Sequence, residues 1–138
     1  MSVTFMAPEA PEAIHTWTCN SCEGKGCDWC EGNGEVSEWL RPFECNFSNS
    51  TAYSVLRALG HQPKDLWGEI LPEDLPEWIK RCTDFIGGRE AEIYAWELHQ
   101  PSMGFINLDD PFMIASRVVR IKRLLEFAIE GGYRVTWG

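Results

Sequence analysis

Apolar residues recur at helical spacing in three parts of the chain, and glycines or polar clusters separate these parts. Positions i, i+3, i+4 and i+7 predict a first helix, which Ser48 or Asn49 caps and Gly60 ends. A second helix is predicted over residues 71–85 and ends before Gly87. The inner faces of these two helices comprise Ala52, Val55, Leu56 and Leu59, and Leu75, Trp78, Ile79 and Cys82.

The longest helical pattern lies near the C-terminus, over residues 112–130. Asp110 and Pro111 predict its start, because a capping residue followed by proline suits the first turn, and Gly131 ends it. Its apolar positions recur at intervals of three or four residues: Ile114, Val118, Ile121, Leu125 and Ala128.

Shorter apolar stretches predict strands between these helices. Residues 35–45 form a predicted extended strand that breaks near Pro42, residues 103–107 a short strand, and residues 133–137 a closing strand. The segment 91–98 is ambiguous between strand and helix. Together these elements predict a small, helix-rich α+β fold with a few short strands.

The chain divides into three predicted parts. Residues 1–14, rich in Ala, Pro and Glu, predict a flexible N-terminal arm. Residues 15–36 predict a metal-binding hairpin, and residues 37–138 the α+β body. A chain of 138 residues is the usual size of one domain and long enough to bury a core.

The composition is that of a globular protein without a membrane segment. Apolar residues make up 44%, and seven Trp with seven Phe supply large side chains for a core. No apolar run approaches the roughly 20 residues that cross a bilayer, and the N-terminal residues lack the basic and apolar regions of a signal peptide. We therefore expect a cytoplasmic protein, whose reduced cysteines favour metal binding over disulfides.

The most specific feature of the chain is an eight-residue unit, CxxCEGxG, written twice over residues 19–34. Two adjacent CxxC pairs suit a tetrahedral zinc ion, because the two thiolates of each pair converge on one metal. Gly24 and Gly32 relieve the backbone after each pair, and Gly26 and Gly34 let the chain reverse. The sequence therefore predicts one structural zinc ion.

This tandem CxxCxGxG unit resembles the cysteine-rich zinc region of the DnaJ-type cochaperones and of small DnaJ-like zinc-finger proteins. In that family such units bind zinc and help to hold unfolded polypeptide or assist assembly. The chain contains no His-Pro-Asp tripeptide of a J domain. Outside the unit, residues 46–52 and 135–138 loosely resemble small uncharacterised proteins of bacteria and phages. The DnaJ resemblance implies four zinc ligands: Cys19, Cys22, Cys27 and Cys30.

Other cysteine chemistry stays open at this point. The CxxC pairs could exchange thiols or hold an iron–sulfur cluster, although glycine-rich turns follow them instead of the helix that activates a redox thiol. His15 could replace one thiolate, although four cysteines are already present. Cys82 is expected in the packed core, and Cys45 has no partner that the sequence identifies.

The net charge of −9 is unevenly distributed. Residues 1–46 and 47–110 each carry −6, whereas residues 111–138 carry +3. Four thiolates around one zinc would add about two negative charges to the first part. Nucleic-acid binding through the zinc region is therefore disfavoured, because Lys and Arg must replace the counterions of a polyphosphate.

Five residues outside the cysteine set are candidates for contact with a partner. Trp29 lies inside the second CxxC, and is either packed on the rest of the chain or exposed as an aromatic anchor. Lys25 lies between the two pairs. A basic stretch on the last helix is either a solvated face or a docking surface, and its candidates are Arg117, Arg120 and Arg123.

No enzyme motif accompanies these features, since no P-loop, GxSxG, HExxH or dinucleotide-binding glycine pattern occurs. A zinc ion closed by four thiolates also leaves no position for a reactive water. The leading hypothesis is a non-enzymatic zinc-binding module that contacts another protein, as an adaptor, an assembly factor or an acidic inhibitor. The alternatives are nucleic-acid binding through the basic helix 112–130, with zinc as a staple, and thiol–disulfide or chaperone-like activity of the CxxC pairs.

Overall fold

The computed structural model describes residues 2–62, 66–98 and 111–138, which form six strands and four α-helices. Strands and helices are largely segregated along the described chain, since four strands precede the first helix and three helices follow β5, in agreement with the predicted α+β class. The strands are β1 Ser2–Met6, β2 Ala13–Thr18, β3 Glu35–Leu40, β4 Cys45–Ser48, β5 Gly68–Ile70 and β6 Val135–Trp137. The helices are α1 Asn49–Ala58, α2 Leu75–Ile86, α3 Glu90–Leu98 and α4 Pro111–Gly131.

The first and last strands of the chain pair at the centre of an antiparallel sheet with the order β4-β1-β6-β5. β1 pairs with β4 on one side and with β6 on the other, where Phe5 lies opposite Trp137. Thr4 and Gly138 exchange two backbone hydrogen bonds, of 3.0 and 3.3 Å. Because side chains alternate across a strand, Val3 and Phe5 both point into the core.

This arrangement corrects the prediction of a flexible arm over residues 1–14. Ser2–Met6 is a central strand, and the segment that follows is also anchored, because Ala7 and Ala10 are buried. Residues 2–6 alternate polar and apolar side chains, but this pattern is short and the Pro- and Glu-rich residues 8–12 that follow it favoured the prediction of an arm. The stabilising partners of this strand come from distant parts of the chain, so no local pattern indicates them.

The helices follow the predicted periodicity. The Ser48 hydroxyl caps α1 by accepting the backbone N–H of Thr51 at 3.3 Å, and the four predicted inner residues of α1 are buried. The second helix begins at Leu75, after a short 3₁₀ turn, and Gly87 ends it with a φ of 60°. The ambiguous segment 91–98 is helical, within α3.

α4 contributes its inner face to the core, and α1, α2 and α3 all pack against it. Its five predicted apolar positions are buried, and the helix begins at Pro111 as expected. The predicted strand 103–107 and the predicted cap Asp110 lie outside the described residues. In the described ranges, no helix has both the length and the hydrophobicity that crossing a membrane requires.

β2 and β3 form a second antiparallel sheet of two strands, a ribbon. The predicted strand 35–45 is divided, because β3 ends at Leu40 and β4 begins at Cys45. Arg41, in the turn between them, donates to the Pro8 carbonyl at 3.3 Å and pairs with Glu12 at 3.0 Å. These contacts tie the base of the ribbon to the segment after β1.

Candidate metal centre

The two strands of the ribbon lead directly into and out of the cysteine unit. Thr18 at the end of β2 lies opposite Glu35 at the start of β3. The next backbone N–H, of Cys19, donates to the carbonyl of Gly34 at 2.9 Å. Residues 19–34 therefore form a closed loop at the end of the ribbon, whose strands extend beyond the predicted bounds 15–36 at both ends.

The two halves of this loop share one backbone geometry. In both halves, the residue three positions after the second cysteine donates its N–H to the carbonyl of that cysteine at 3.1 Å. The glycine that follows donates its N–H to the cysteine sulfur. Gly26 reaches Cys22 Sγ at 3.1 Å, and Gly34 reaches Cys30 Sγ at 3.2 Å. The repeated sequence has produced a repeated structure in which two sulfurs accept backbone hydrogen bonds.

Glycines of each half pack against the backbone of the other half. A Cβ at Gly26 would lie 2.8 Å from the carbonyl oxygen of Gly32, and a Cβ at Gly34 would collide with the carbonyl oxygen of Gly24. All four residues also have positive φ, between 72° and 99°. Backbone conformation therefore favours glycine at all four positions, and close approach to backbone adds a second requirement at Gly26 and Gly34.

The four cysteines at the end of the ribbon bring their sulfurs within 4.8 Å of one another. The sulfurs of Cys19 and Cys27 are 3.8 Å apart, those of Cys22 and Cys30 are 3.7 Å apart, and those of Cys27 and Cys30 are 3.7 Å apart. Four sulfurs held ~2.3 Å from a tetrahedral zinc are separated by about 3.8 Å. The residues present thus fit one tetrahedral ion with four sulfur donors, compatible with zinc.

Burial and hydrogen bonding act differently on the two buried sulfurs. Burial raises the pKa of the Cys19 thiol to about 11, opposed only in part by nearby backbone N–H groups. Burial acts in the same direction on Cys30, but the N–H groups of Cys27 and Gly34 and the side chains of Cys22 and Cys27 all hydrogen-bond its sulfur, and together they lower the pKa of Cys30 to about 6. A cation among the four sulfurs would stabilise all of them as thiolates.

The cysteine cluster is partly shielded from solvent. Cys19 and Cys30 are buried, whereas Cys22 and Cys27 are partly exposed. Four thiolates complete a tetrahedral coordination shell, which is typical of a structural zinc site. The side chain of His15, considered as an alternative ligand, lies outside the described part of the structure.

The predicted partner-contacting residues fall into two separate groups. Trp29 and Lys25 are exposed on the closed loop itself, and 73% of the Trp29 side chain is accessible. The three arginines belong to α4 in the body. Arg120 and Arg123 are exposed, whereas Arg117 is half-buried and donates to the Ser116 hydroxyl at 2.9 Å. These arginines and the two loop residues therefore lie on different elements of the structure.

The remaining two cysteines lie apart from the cluster, in the core. Burial raises the pKa of Cys45 to about 11 and that of Cys82 to about 12. Both groups are therefore neutral thiols that pack as small apolar side chains. The prediction that Cys82 is buried is confirmed.

Three residues with unusual backbone conformation were not identified from the sequence. Glu23 and Glu31 have φ of 53° and 56°, at equivalent places in the two halves of the loop. The doubling of the Glu-Gly pair is the signal that could have indicated them. Phe43 has φ of 59° in the turn after β3, and no motif marks it.

Comparisons of the chain with protein-family models, with curated proteins and with solved structures found no match. The assignment of a metal centre therefore rests on the geometry of the four cysteines. The resemblance to DnaJ-type zinc units stays a prediction from residues 19–34.

Proposed function

We propose that this chain is a non-enzymatic protein-interaction module, in which one zinc ion holds the end of the ribbon in shape and that end contacts another protein. The observation that carries the proposal is the exposure of Trp29. Its side chain is 73% accessible although it lies between two clustered cysteines. A large aromatic residue on a metal-fixed backbone is a suitable anchor for a protein partner.

Rigidity of the loop supports this proposal. A two-stranded ribbon is marginally stable by itself in water, whereas a structural zinc contributes apparent binding energies of ~10–16 kcal/mol in small peptides. Binding a partner with a preformed loop avoids the entropy cost of ordering it at that moment. A bound zinc ion would therefore keep the loop ordered before the partner binds, and this lowers the entropy cost of binding.

The ribbon carries further apolar surface next to the loop. Ile14 is 56% exposed and Trp17 is 40% exposed, and their odd separation in β2 places them on opposite faces of the ribbon. The loop that carries Trp29 also exposes Lys25 and three acidic side chains: Glu23, Asp28 and Glu31. An aromatic anchor on a loop of net negative charge favours a protein partner with a basic or mixed surface, and disfavours a polyphosphate.

The test compares the zinc-loaded full chain with its Trp29→Ala variant as bait for proteins from a lysate of the source organism. Trp67→Ala is the matched control, because Trp67 is 70% exposed but lies beside β5 in the body. We expect Trp29→Ala to lower the amount of a captured protein at least about tenfold, as for an interface hot spot. Equal capture by wild type and Trp29→Ala would contradict the proposal.

The metal is tested independently of any partner. Elemental analysis of the purified untagged chain is expected to show one zinc per chain. The double variant Cys22→Ser, Cys30→Ser should contain none, and its ribbon should become sensitive to protease. A chain that retains full protease resistance without metal would show that the ion does not hold the ribbon in shape.

A further inference from the structure

The sulfurs of the closed loop make contacts between its two halves. The sulfur of Cys19, the first cysteine of one half, lies 3.8 Å from that of Cys27, the first of the other half. The sulfurs of the second cysteines, Cys22 and Cys30, lie 3.7 Å apart. The tandem repeat therefore places each cysteine beside its own counterpart, and we call these two contacts the cross-half pairs.

Each cross-half pair joins a partly exposed cysteine to a buried one. Cys27 and Cys22 are partly exposed, whereas their counterparts Cys19 and Cys30 are buried. A small oxidant can therefore reach one sulfur of each pair, while the other sulfur lies beside it and is shielded from solvent. Cysteine oxidation follows thiolate character and exposure, and a neighbouring thiol converts the first product to a disulfide.

Backbone contacts that involve no sulfur also hold the two halves against each other. The carbonyl of Gly34 accepts the N–H of Cys19 at 2.9 Å. Gly26 approaches the backbone of Gly32, and Gly34 that of Gly24, so closely that neither position has room for a Cβ. The folded loop therefore presents both cross-half pairs at the same time.

A disulfide within one half is the competing product. The sulfurs of Cys27 and Cys30 are also 3.7 Å apart, and a bond between them would leave Cys19 to pair with Cys22. Such bonds link residues three positions apart and leave the halves unconnected, whereas cross-half bonds link residues eight positions apart and join the halves. Stabilisation by a cross-link increases with the length of chain that it closes.

We infer that peroxide oxidises the cluster to two cross-half disulfides, Cys19–Cys27 and Cys22–Cys30, and that the loop then releases its zinc ion. The inference rests on the zinc ion of the proposed function, and is independent of the partner contact. Zinc is lost because it binds thiolates, and disulfide sulfurs carry no negative charge. The loop stays closed because two covalent bonds join its halves in the place of the ion.

Each disulfide consumes one molecule of hydrogen peroxide. The thiolate of the partly exposed cysteine attacks a peroxide oxygen, and the O–O bond breaks to give a sulfenic acid and hydroxide. The buried counterpart then attacks that sulfur as a thiolate, which forms the S–S bond and expels the second hydroxide. The two sulfurs lose two electrons to the peroxide, and protons from solvent convert both hydroxides to water.

The experiment treats the zinc-loaded full chain with hydrogen peroxide in the presence of a chromogenic chelator that reports free zinc. We expect the release of one zinc per chain. Remaining thiols are capped with an alkylating reagent, and the chain is then denatured and digested with trypsin without reduction. Mass spectrometry of the digest identifies which cysteines are joined.

Trypsin distinguishes the two kinds of pairing because Lys25 lies between the two halves. No Lys or Arg precedes Lys25, and Pro42 protects Arg41 from cleavage, so the digest contains peptides 1–25 and 26–57. Cross-half disulfides keep these two peptides linked until a reductant is added. Disulfides within each half release them as separate peptides.

Cys45→Ala is the matched control, because Cys45 also lies in peptide 26–57 but is buried in the core. This variant should release zinc and link the two peptides as the wild type does. A thiol reductant with added zinc should restore the metal content of both proteins, which verifies that oxidation stopped at the disulfide.

Three results would overturn the inference: zinc that is retained under peroxide, peptides 1–25 and 26–57 that separate without reductant, or a linkage that disappears in Cys45→Ala. If the zinc-loaded chain resists peroxide and still captures a protein through Trp29, only the redox inference fails. A chain that contains no zinc when purified would instead contradict the metal of the proposed function, and elemental analysis detects this before any peroxide is added.

Discussion

Single residues with positive φ shape the closed loop and the turn after β3. At Gly26 and Gly34 in the loop, glycine satisfies both the backbone conformation and the close approach of the two halves. In the turn after β3, Phe43 adopts a similar conformation without that freedom. Glycine adopts the left-handed conformation without strain, so the loop glycines follow from the backbone geometry alone. Phe43 adopts it with strain, and an aromatic ring is therefore retained there despite a local cost in energy.

Gly34→Ala should weaken zinc binding more than Gly32→Ala. Both residues have left-handed φ, of 72° and 80°, and alanine pays ~1–2 kcal/mol at either position. Only at Gly34 does the added Cβ collide with backbone, at the carbonyl of Gly24, whereas the space beside Gly32 is open. Competition with a chromogenic chelator measures both affinities, and equal affinities would show that close approach does not matter.

Two substitutions of Phe43 distinguish the stability that its ring contributes from the stability that its strained backbone costs. Phe43→Gly should change the free energy of unfolding by no more than about 1 kcal/mol, because relief of ~1–3 kcal/mol of strain offsets the lost contact with Phe127. Phe43→Ala loses the ring but keeps the strained φ, and should be less stable than Phe43→Gly by about 1 kcal/mol. Urea denaturation measures both, and the reverse order would refute the strain.

At the scale of elements, local signals were reliable for helices and weaker for strands. Capping residues, glycine ends and apolar spacing lie within one or two turns of chain, so α1, α2 and α4 could be predicted with their inner faces. Segment 91–98 was ambiguous because its apolar residues suit both the spacing of a helix and the alternation of a strand. In the structure this segment is helical and packs against α4. The first strand was missed because its partners are remote in sequence.

The N-terminal cap of α1 contributes to the stability of a single helix, and this contribution can be measured. The Ser48 hydroxyl accepts the Thr51 N–H and also hydrogen-bonds the Thr51 hydroxyl at 3.0 Å. Ser48→Ala should lower the free energy of unfolding by about 1 kcal/mol. Ser50→Ala is the matched control, since Ser50 is exposed in the first turn, and should change it by less than about 0.5 kcal/mol. Thermal or urea denaturation of the two variants distinguishes the cap from a general effect of losing serine.

At the scale of the whole molecule, two sheets are stabilised by different means. The four-stranded sheet packs its inner face into the hydrophobic core, whereas the ribbon ends in the cysteine cluster and exposes apolar residues on both faces. We therefore expect the core to fold without metal, whereas the ribbon lacks comparable burial.

Removal of the metal should unfold the ribbon and leave the body folded. Hydrogen exchange with and without a chelator measures this directly, and amides of β2 and β3 should lose protection while those of β1 and β6 keep theirs. Loss of protection throughout the chain would show that the body also depends on the ion. Unchanged protection in the ribbon would show that the cysteine loop is stable without it.

The sequence by itself determined the features whose cause lies within a few residues: α1, α2 and α4, the Ser48 cap of α1, the α+β class and the four cysteines of the cluster. Spacing alone is sufficient there, because hydrogen bonds and ligand convergence act over one turn of chain. Only the tertiary structure decided that β1 pairs with β6 in the middle of the four-stranded sheet, that Trp29 is exposed, and that the ring of Phe43 packs on that of Phe127. These contacts join residues far apart in sequence, and which of them form depends on the packing of the whole core.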